Sequence, residues 1–137
     1  MEFKSDLITF EGVYKSFMTE KLNIPTSEGR RTILANHMEL MIPITPGIIE
    51  TLENNHLKHY AINDAVLYFK DNVAEIVADV IIDVEDIDVE KAKQELEHAQ
   101  NILKKARREN EKIRLEHRLK VAEMFYNAAI NKDSINI

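Results

Sequence analysis

The spacing of apolar positions along this chain changes near residue 83. Before that point, apolar residues come in short alternating or continuous runs separated by turn chemistry. After it, Val89, Ala92, Leu96, Ala99, Leu103 and Ala106 follow a 3,4,3,4,3 spacing, and Leu115, Leu119, Ala122, Tyr126 and Ala129 a 4,3,4,3 spacing. The first pattern suits strands; the second suits helices that each bury one seam. Strands followed by helices, rather than alternating with them, place the chain in the α+β class. The expected architecture is an N-terminal antiparallel β-sandwich over residues 1–83, followed by a C-terminal two-helix antiparallel hairpin over residues 84–137.

Phe3 to Phe10 and Val13 to Ile24 read as strands. Pro25 to Gly29 is turn chemistry, and the segment from Gly29 to Ile42 reads as a loop, with Arg30-Arg31 at its tip and His37 in the apolar-flanked stretch Ile33–Met38. Leu40 to Ile44 is a short apolar run. Pro46-Gly47 predicts a turn with Pro at i+1 and Gly at i+2. Two hairpins follow: Ile48–Leu52 and Leu57–Ile62 around Asn54-Asn55, then Ala65–Phe69 and Val73–Ile82 around Asp71-Asn72. Asp83, Glu85, Asp86 and Asp88 form an acidic linker, in which Asp86 or Asp88 can cap the first helix. That helix is predicted to run to about Arg107 and the second from Glu111 to about Ile130, with the break at Asn110. A single long helix stays open as an alternative, because neither Gly nor Pro lies beyond Asp83. The small residues of both seams bury little area each, so such a hairpin is weakly held.

Charge sharpens this picture. The net charge of −6 is unevenly spread: residues 1–82 carry 7 basic and 12 acidic side chains, residues 83–103 carry 2 and 7, and residues 104–137 carry 9 and 5. An acidic body makes nucleic acid an unsuitable partner. The basic run Lys104, Lys105, Arg107, Arg108, Lys112, Arg114, Arg118 and Lys120 is either a solvated helix face or a surface for an acidic protein partner. The chain has no cysteine, which excludes disulfides and thiolate metal sites. No apolar run is long enough to span a membrane, and no signal segment is recognised, so a cytoplasmic location is expected.

Catalytic chemistry finds no support. Three glycines, Gly12, Gly29 and Gly47, make no phosphate loop, and no nucleophile–base set is recognisable. His56 and His59 are three apart on a predicted strand and so point to opposite faces. Glu95-x-x-His98 has the spacing of a helical di-iron ligand pair but lacks the second copy such a site needs. No catalytic residue and no metal site is expected.

Several short motifs, in one order over nearly the whole chain, resemble the epsilon subunit of F-type rotary ATP synthases. They are Ile24-Pro25-Thr26-Ser27-Glu28-Gly29; the spacing from Gly29 to Ile33-Leu34-Ala35-Asn36-His37; Pro46-Gly47-Ile48-Ile49; Tyr60-Ala61-Ile62; Val66-Leu67-Tyr68-Phe69; Asn72-Val73 through Ala78-Asp79; and Ile87-Asp88-Val89-Glu90-Lys91-Ala92. The chain departs from the family pattern too. Thr32 stands for the second turn glycine, Ala35-Asn36 for Pro-Gly before the histidine, Glu39 for a proline, and Asn63-Asp64-Ala65 for Ser-Gly-Gly.

The resemblance implies a non-catalytic central-stalk subunit, peripheral to a membrane as part of its complex. The sandwich would grip the gamma subunit and face the c ring, with Arg30, Arg31 and His37 as contacts. The helices would reach the alpha and beta catalytic subunits and regulate ATP hydrolysis, with Arg107, Arg108, Arg114 and Arg118 as contacts. Some members bind ATP on the hairpin, which makes Asp88 and Lys91 the candidate contacts here. Lysine in place of arginine loses the bidentate fork, and Val121 and Phe125 on the second helix cannot hold phosphate, so no cofactor is expected. Two alternatives remain: an accessory subunit of a divergent F-type-like motor not coupled to proton transport, and a free-standing binding module with a helical arm.

Overall fold

A computed structural model of the chain describes residues 1–132 and Ile135. Eight strands come first: β1 (Phe3–Thr9), β2 (Gly12–Thr19), β3 (Lys21–Thr26), β4 (Gly29–Leu34), β5 (Leu40–Ile44), β6 (Gly47–Glu53), β7 (His56–Lys70) and β8 (Val73–Asp83). A 3-10 turn over Val84–Asp86 leads to α1 (Val89–Lys105) and α2 (Glu109–Ile130). The chain divides into two compact units, one from Met1 to Asp83 and the other beginning at Val84.

The strands follow the order β2-β1-β8-β7-β6-β3-β4, and β5 also pairs with β7. All pairings are antiparallel except β1 with β8, which is parallel. The two strands expected at 57–62 and 65–69 are one continuous strand. Its first half pairs with β6 and its second half with β5. Between them Asp64 has a φ of 46°, and a short polar side chain tolerates this left-handed conformation. Folding over brings β2 against β6 and β7: Phe17 stacks on Tyr60 with ring centroids 6.0 Å apart. Alternating side chains from both layers then fill one core, including Phe3, Leu7, Leu22, Ile24, Ile33, Ile49, Tyr60, Ile62, Leu67, Phe69 and Ile76, all fully buried.

Three local expectations need correction. Val13–Ile24 is two strands, because buried Thr19 donates its hydroxyl to Lys21 O (2.7 Å) and accepts from Leu52 N (3.0 Å) where the chain leaves one end of the strand order for the other. The loop expected after Gly29 begins as strand β4, in register with β3 from Gly29↔Thr26 to Leu34↔Lys21. β4 is the last strand in the order and only Ile33 on it is buried, so its polar sequence hid it. Gly47 has no positive φ and opens β6 instead of completing a turn. Its need for glycine is spatial, since a Cβ there would lie 3.1 Å from Pro25 Cγ.

The helical unit is a hairpin, not a single long helix. Asp88 is the N-cap of α1, accepting from Lys91 N at 3.2 Å. The break falls at Ala106–Arg108, not at Asn110; Ala106 and Arg108 are extended (ψ 137° and 142°). Asn110 sits inside the first turn of α2, where its side chain accepts from Glu111 N at 2.9 Å. Glu109 and Glu111 in that turn suit the positive end of the helix dipole. Ala99 on α1 and Leu115, Ala122 and Ala129 on α2 are buried. An ion pair joins the helices, Arg118 Nε to Glu95 Oε1 at 2.9 Å.

Candidate functional site

The outward face of the sandwich carries a row that alternation alone would make polar. Val13 on β2, Ile8 on β1, Val77 on β8, Val66 on β7 and Pro43 on β5 stand opposite one another in the strand registers. Their inward neighbours Leu7, Ile76, Leu67 and Ile44 are buried, so these five face out. Val13 is 63% exposed, Val77 51% and Val66 41%. At strand spacings of about 4.8 Å the row crosses roughly 20 Å of surface. Phe10, just past the end of β1, is also exposed. The next row out is polar over Ser16, Asp6, Glu75 and Tyr68 and ends on exposed Met41 of β5. A contiguous apolar stripe with a polar margin marks a protein-docking surface.

A second surface is charged and internally paired. Glu50 on β6 accepts from Lys21 Nζ on β3 (2.9 Å) and contacts His59 Nε2 on β7 (2.9 Å). Burial raises the Glu50 pKa, but the bonds and charges of Lys21 and His59 outweigh this, and the net shift is downward from 4.5. Nearby, Glu53 accepts from Lys15 Nζ (2.9 Å), from Tyr60 OH (2.9 Å) and from Thr51. Burial, then the Glu53 carboxylate, pushes the Tyr60 phenol well above its usual 10. These networks stitch strands together, and their pH dependence follows. Glu50 is depressed, so its contribution is present above about pH 4.5 and lost as pH falls below it. Tyr60 is raised, so its contribution is present below about pH 10 and lost as pH rises beyond it. Melting temperatures should therefore fall at both extremes. The fall above pH 10 should be smaller in Tyr60→Phe and the fall below pH 4.5 smaller in Glu50→Gln; equal falls in parent and variants would refute the assignment.

The residues singled out from the sequence are dispersed. Arg30 and Arg31 lie on edge strand β4. The Arg30 guanidinium turns back onto Asn23, donating to its side-chain oxygen and to its carbonyl (3.1 Å), while Arg31 is exposed. His37 follows β4, half-buried, with its ring edge-on to Phe69 at 6.0 Å and its Nδ1 donating to Met38 O at 2.8 Å. The preceding Asn36 has a φ of 63° and its N–H donates to Asn72 Oδ1 at 2.6 Å. On the helical unit, Arg108 and Arg114 line a polar hollow of about 250 Å³ with Asn110 and Glu111 at the start of α2. Arg107 is exposed in the break, and Arg118 is engaged by Glu95. Asp88 and Lys91 meet as a helix cap. Among the described residues no group of three or more His, Asp or Glu could hold a metal ion, and no helix is long and apolar enough to cross a membrane. The apolar row is not among the residues that the sequence singles out.

Residues 2–84 match the family model for the beta-sandwich domain of the ATP synthase delta/epsilon chain. The ATP synthase epsilon chain of Lactobacillus helveticus is 28% identical over 137 residues, covering 97% of this chain and 91% of that one. The epsilon chain of an Anaeromyxobacter species is 31% identical over 103 residues, covering 75% and 78%. Among solved structures, a chain of the Euglena gracilis mitochondrial ATP synthase, OSCP/F1/c-ring, superposes with a TM-score of 0.77 at 25% identity, covering 93% of this chain and 81% of that one. A chain of the Tetrahymena thermophila mitochondrial ATP synthase central stalk/c-ring shares the fold, with a TM-score of 0.67 at 14% identity over 94% and 97% of the two chains.

Proposed function

The chain belongs to the ATP synthase delta/epsilon family, and from this we propose that it is a non-catalytic central-stalk subunit of an F-type ATP synthase. The observation that carries the reading is the exposed apolar row across β2, β1, β8, β7 and β5. An apolar row with a mostly polar margin has the make-up of the core of a protein interface. We assign it to the gamma subunit, the shaft against which an epsilon sandwich must turn as one body. Arg31 and His37 are assigned to contacts at the c ring, with Arg30 held in place by Asn23. The absence of a phosphate loop from the sequence supports a subunit without its own active site. Lysine at 91 and the capping role of Asp88 support a chain that takes no nucleotide cofactor. Its place is cytoplasmic, held at the membrane through the complex.

The helical hairpin is the regulatory arm, reaching the alpha and beta subunits when it leaves its folded state. The seam supports this: Ala99, Ala122 and Ala129 bury few methylenes, so opening costs little. Affinity purification of the native assembly through this chain tests the reading. Recovery of gamma together with the c ring is expected. Recovery of gamma without the c ring would place the chain in a motor uncoupled from proton transport, and recovery of neither would refute the central-stalk assignment.

A further inference from the structure

The hairpin is closed at its far end by a contact that its seam does not predict. α2 carries no basic residue in its last turn, and its C-cap is Asn131. The next residue, Lys132, reaches back across the unit. Its ammonium donates to the Ile87 carbonyl at 2.8 Å and to the Glu85 carbonyl at 3.3 Å. Both acceptors lie in the linker that launches α1, where the Ile87 N–H turns back onto Val84 O at 3.3 Å. Val84 and Ile87 are buried, so the carbonyls are presented by an anchored turn. A cation at this place also meets the negative end of the α2 dipole. Ion-assisted hydrogen bonds are the stronger kind, and this one spans 45 residues of sequence.

We propose that Lys132 is the latch of the helical hairpin: it fastens the end of α2 to the Glu85–Ile87 linker and thereby sets how readily the hairpin opens. The alanine seam and the exposed Arg118–Glu95 pair hold the middle weakly, so the latch controls release from the end. Its consequence for hydrolysis rests on the regulatory reading above; the latch itself does not.

The test is amide hydrogen exchange on the full-length chain, comparing the parent with Lys132→Met, which keeps the aliphatic stem and removes the donors. Exchange at the Ile87 N–H and over residues 122–131 should accelerate about tenfold, the scale expected for losing a charged hydrogen bond. Amides of β1–β8 should be unchanged, and Lys132→Arg should recover part of the protection. Unchanged exchange in the helical unit would overturn the latch. So would equal acceleration throughout both units, which would mean a general loss of stability. Measuring ATP hydrolysis by the assembled motor with the same variant separates the two ideas. Faster exchange with an unaltered rate leaves the latch standing and refutes the regulatory role of the hairpin.

Discussion

Val77→Asp should give a folded chain that no longer enters the motor. Val77 is the middle of the apolar row, flanked by Ile8 on β1 and Val66 on β7. In the isolated chain it is 51% exposed, so a carboxylate there stays hydrated, and the cost to folding should be about 1 kcal/mol or less. If the row is the gamma interface, the same carboxylate would be buried among the apolar side chains of the row in the assembly. An unpaired buried charge costs several kcal/mol. Affinity for the gamma subunit should then fall on the order of 100-fold, which at 1.4 kcal/mol per tenfold is about 3 kcal/mol. Val77→Thr, which keeps the strand propensity and most of the volume, should bind within about tenfold of the parent. Binding measured against purified gamma, beside the melting temperature of each variant, decides the matter. Tight binding by a well-folded Val77→Asp chain would show that the partner sits elsewhere.

This row also shows what the sequence held back. The hairpin tips at Asn54-Asn55 and Asp71-Asn72 were legible because left-handed turns need those residue types, and all four have positive φ. The helical unit was legible because one seam repeats through each helix. Strand β4 was not, because a strand at the end of the order buries only Ile33 and otherwise reads Gly29-Arg30-Arg31-Thr32. The boundary between α1 and α2 was misplaced because Asn110, a helix-start residue, serves inside the first turn of α2.

The apolar row did leave a signal. A sheet with one wet face should alternate, yet Leu7-Ile8, Ile42-Pro43-Ile44, Val66-Leu67 and Ile76-Val77 are apolar at both parities. In several adjacent strands, that means the second face is also to be covered. What sequence alone withheld was the register that puts those four segments side by side. The departures from the family pattern look different in three dimensions as well. Asn36 and Asp64 stand at glycine positions, and both adopt the left-handed backbone that glycine would, with φ of 63° and 46°. At these two positions the loss of glycine leaves a left-handed backbone in place, whereas Thr32 and Ala65 have no positive φ.

Alanine at Arg107, Arg108 and Arg114 together should raise ATP hydrolysis by the assembled motor, whereas Arg118→Ala should act by another route. Residues 104–120 hold 8 basic and 3 acidic side chains, a local charge of +5. Arg107 and Arg114 are exposed, and Arg108 shares the hollow at the start of α2 with Arg114, so these three are placed to meet acidic groups on a catalytic subunit. Arg118 already donates to Glu95 within the hairpin, and that bond raises its pKa further. Exposed ion pairs contribute only ~0.2–1 kcal/mol each. Three of them acting together correspond to roughly a three- to hundredfold change in the docked population, largest at low salt, where the screening length is longest. The triple variant should therefore hydrolyse faster than the parent at low salt and converge with it at high salt. Arg118→Ala weakens the closed hairpin instead, so it should favour the extended state and lower the rate, with little dependence on salt. Equal rates for parent and triple variant at low salt, in an intact assembly, would reduce the basic run to a solvated helix face.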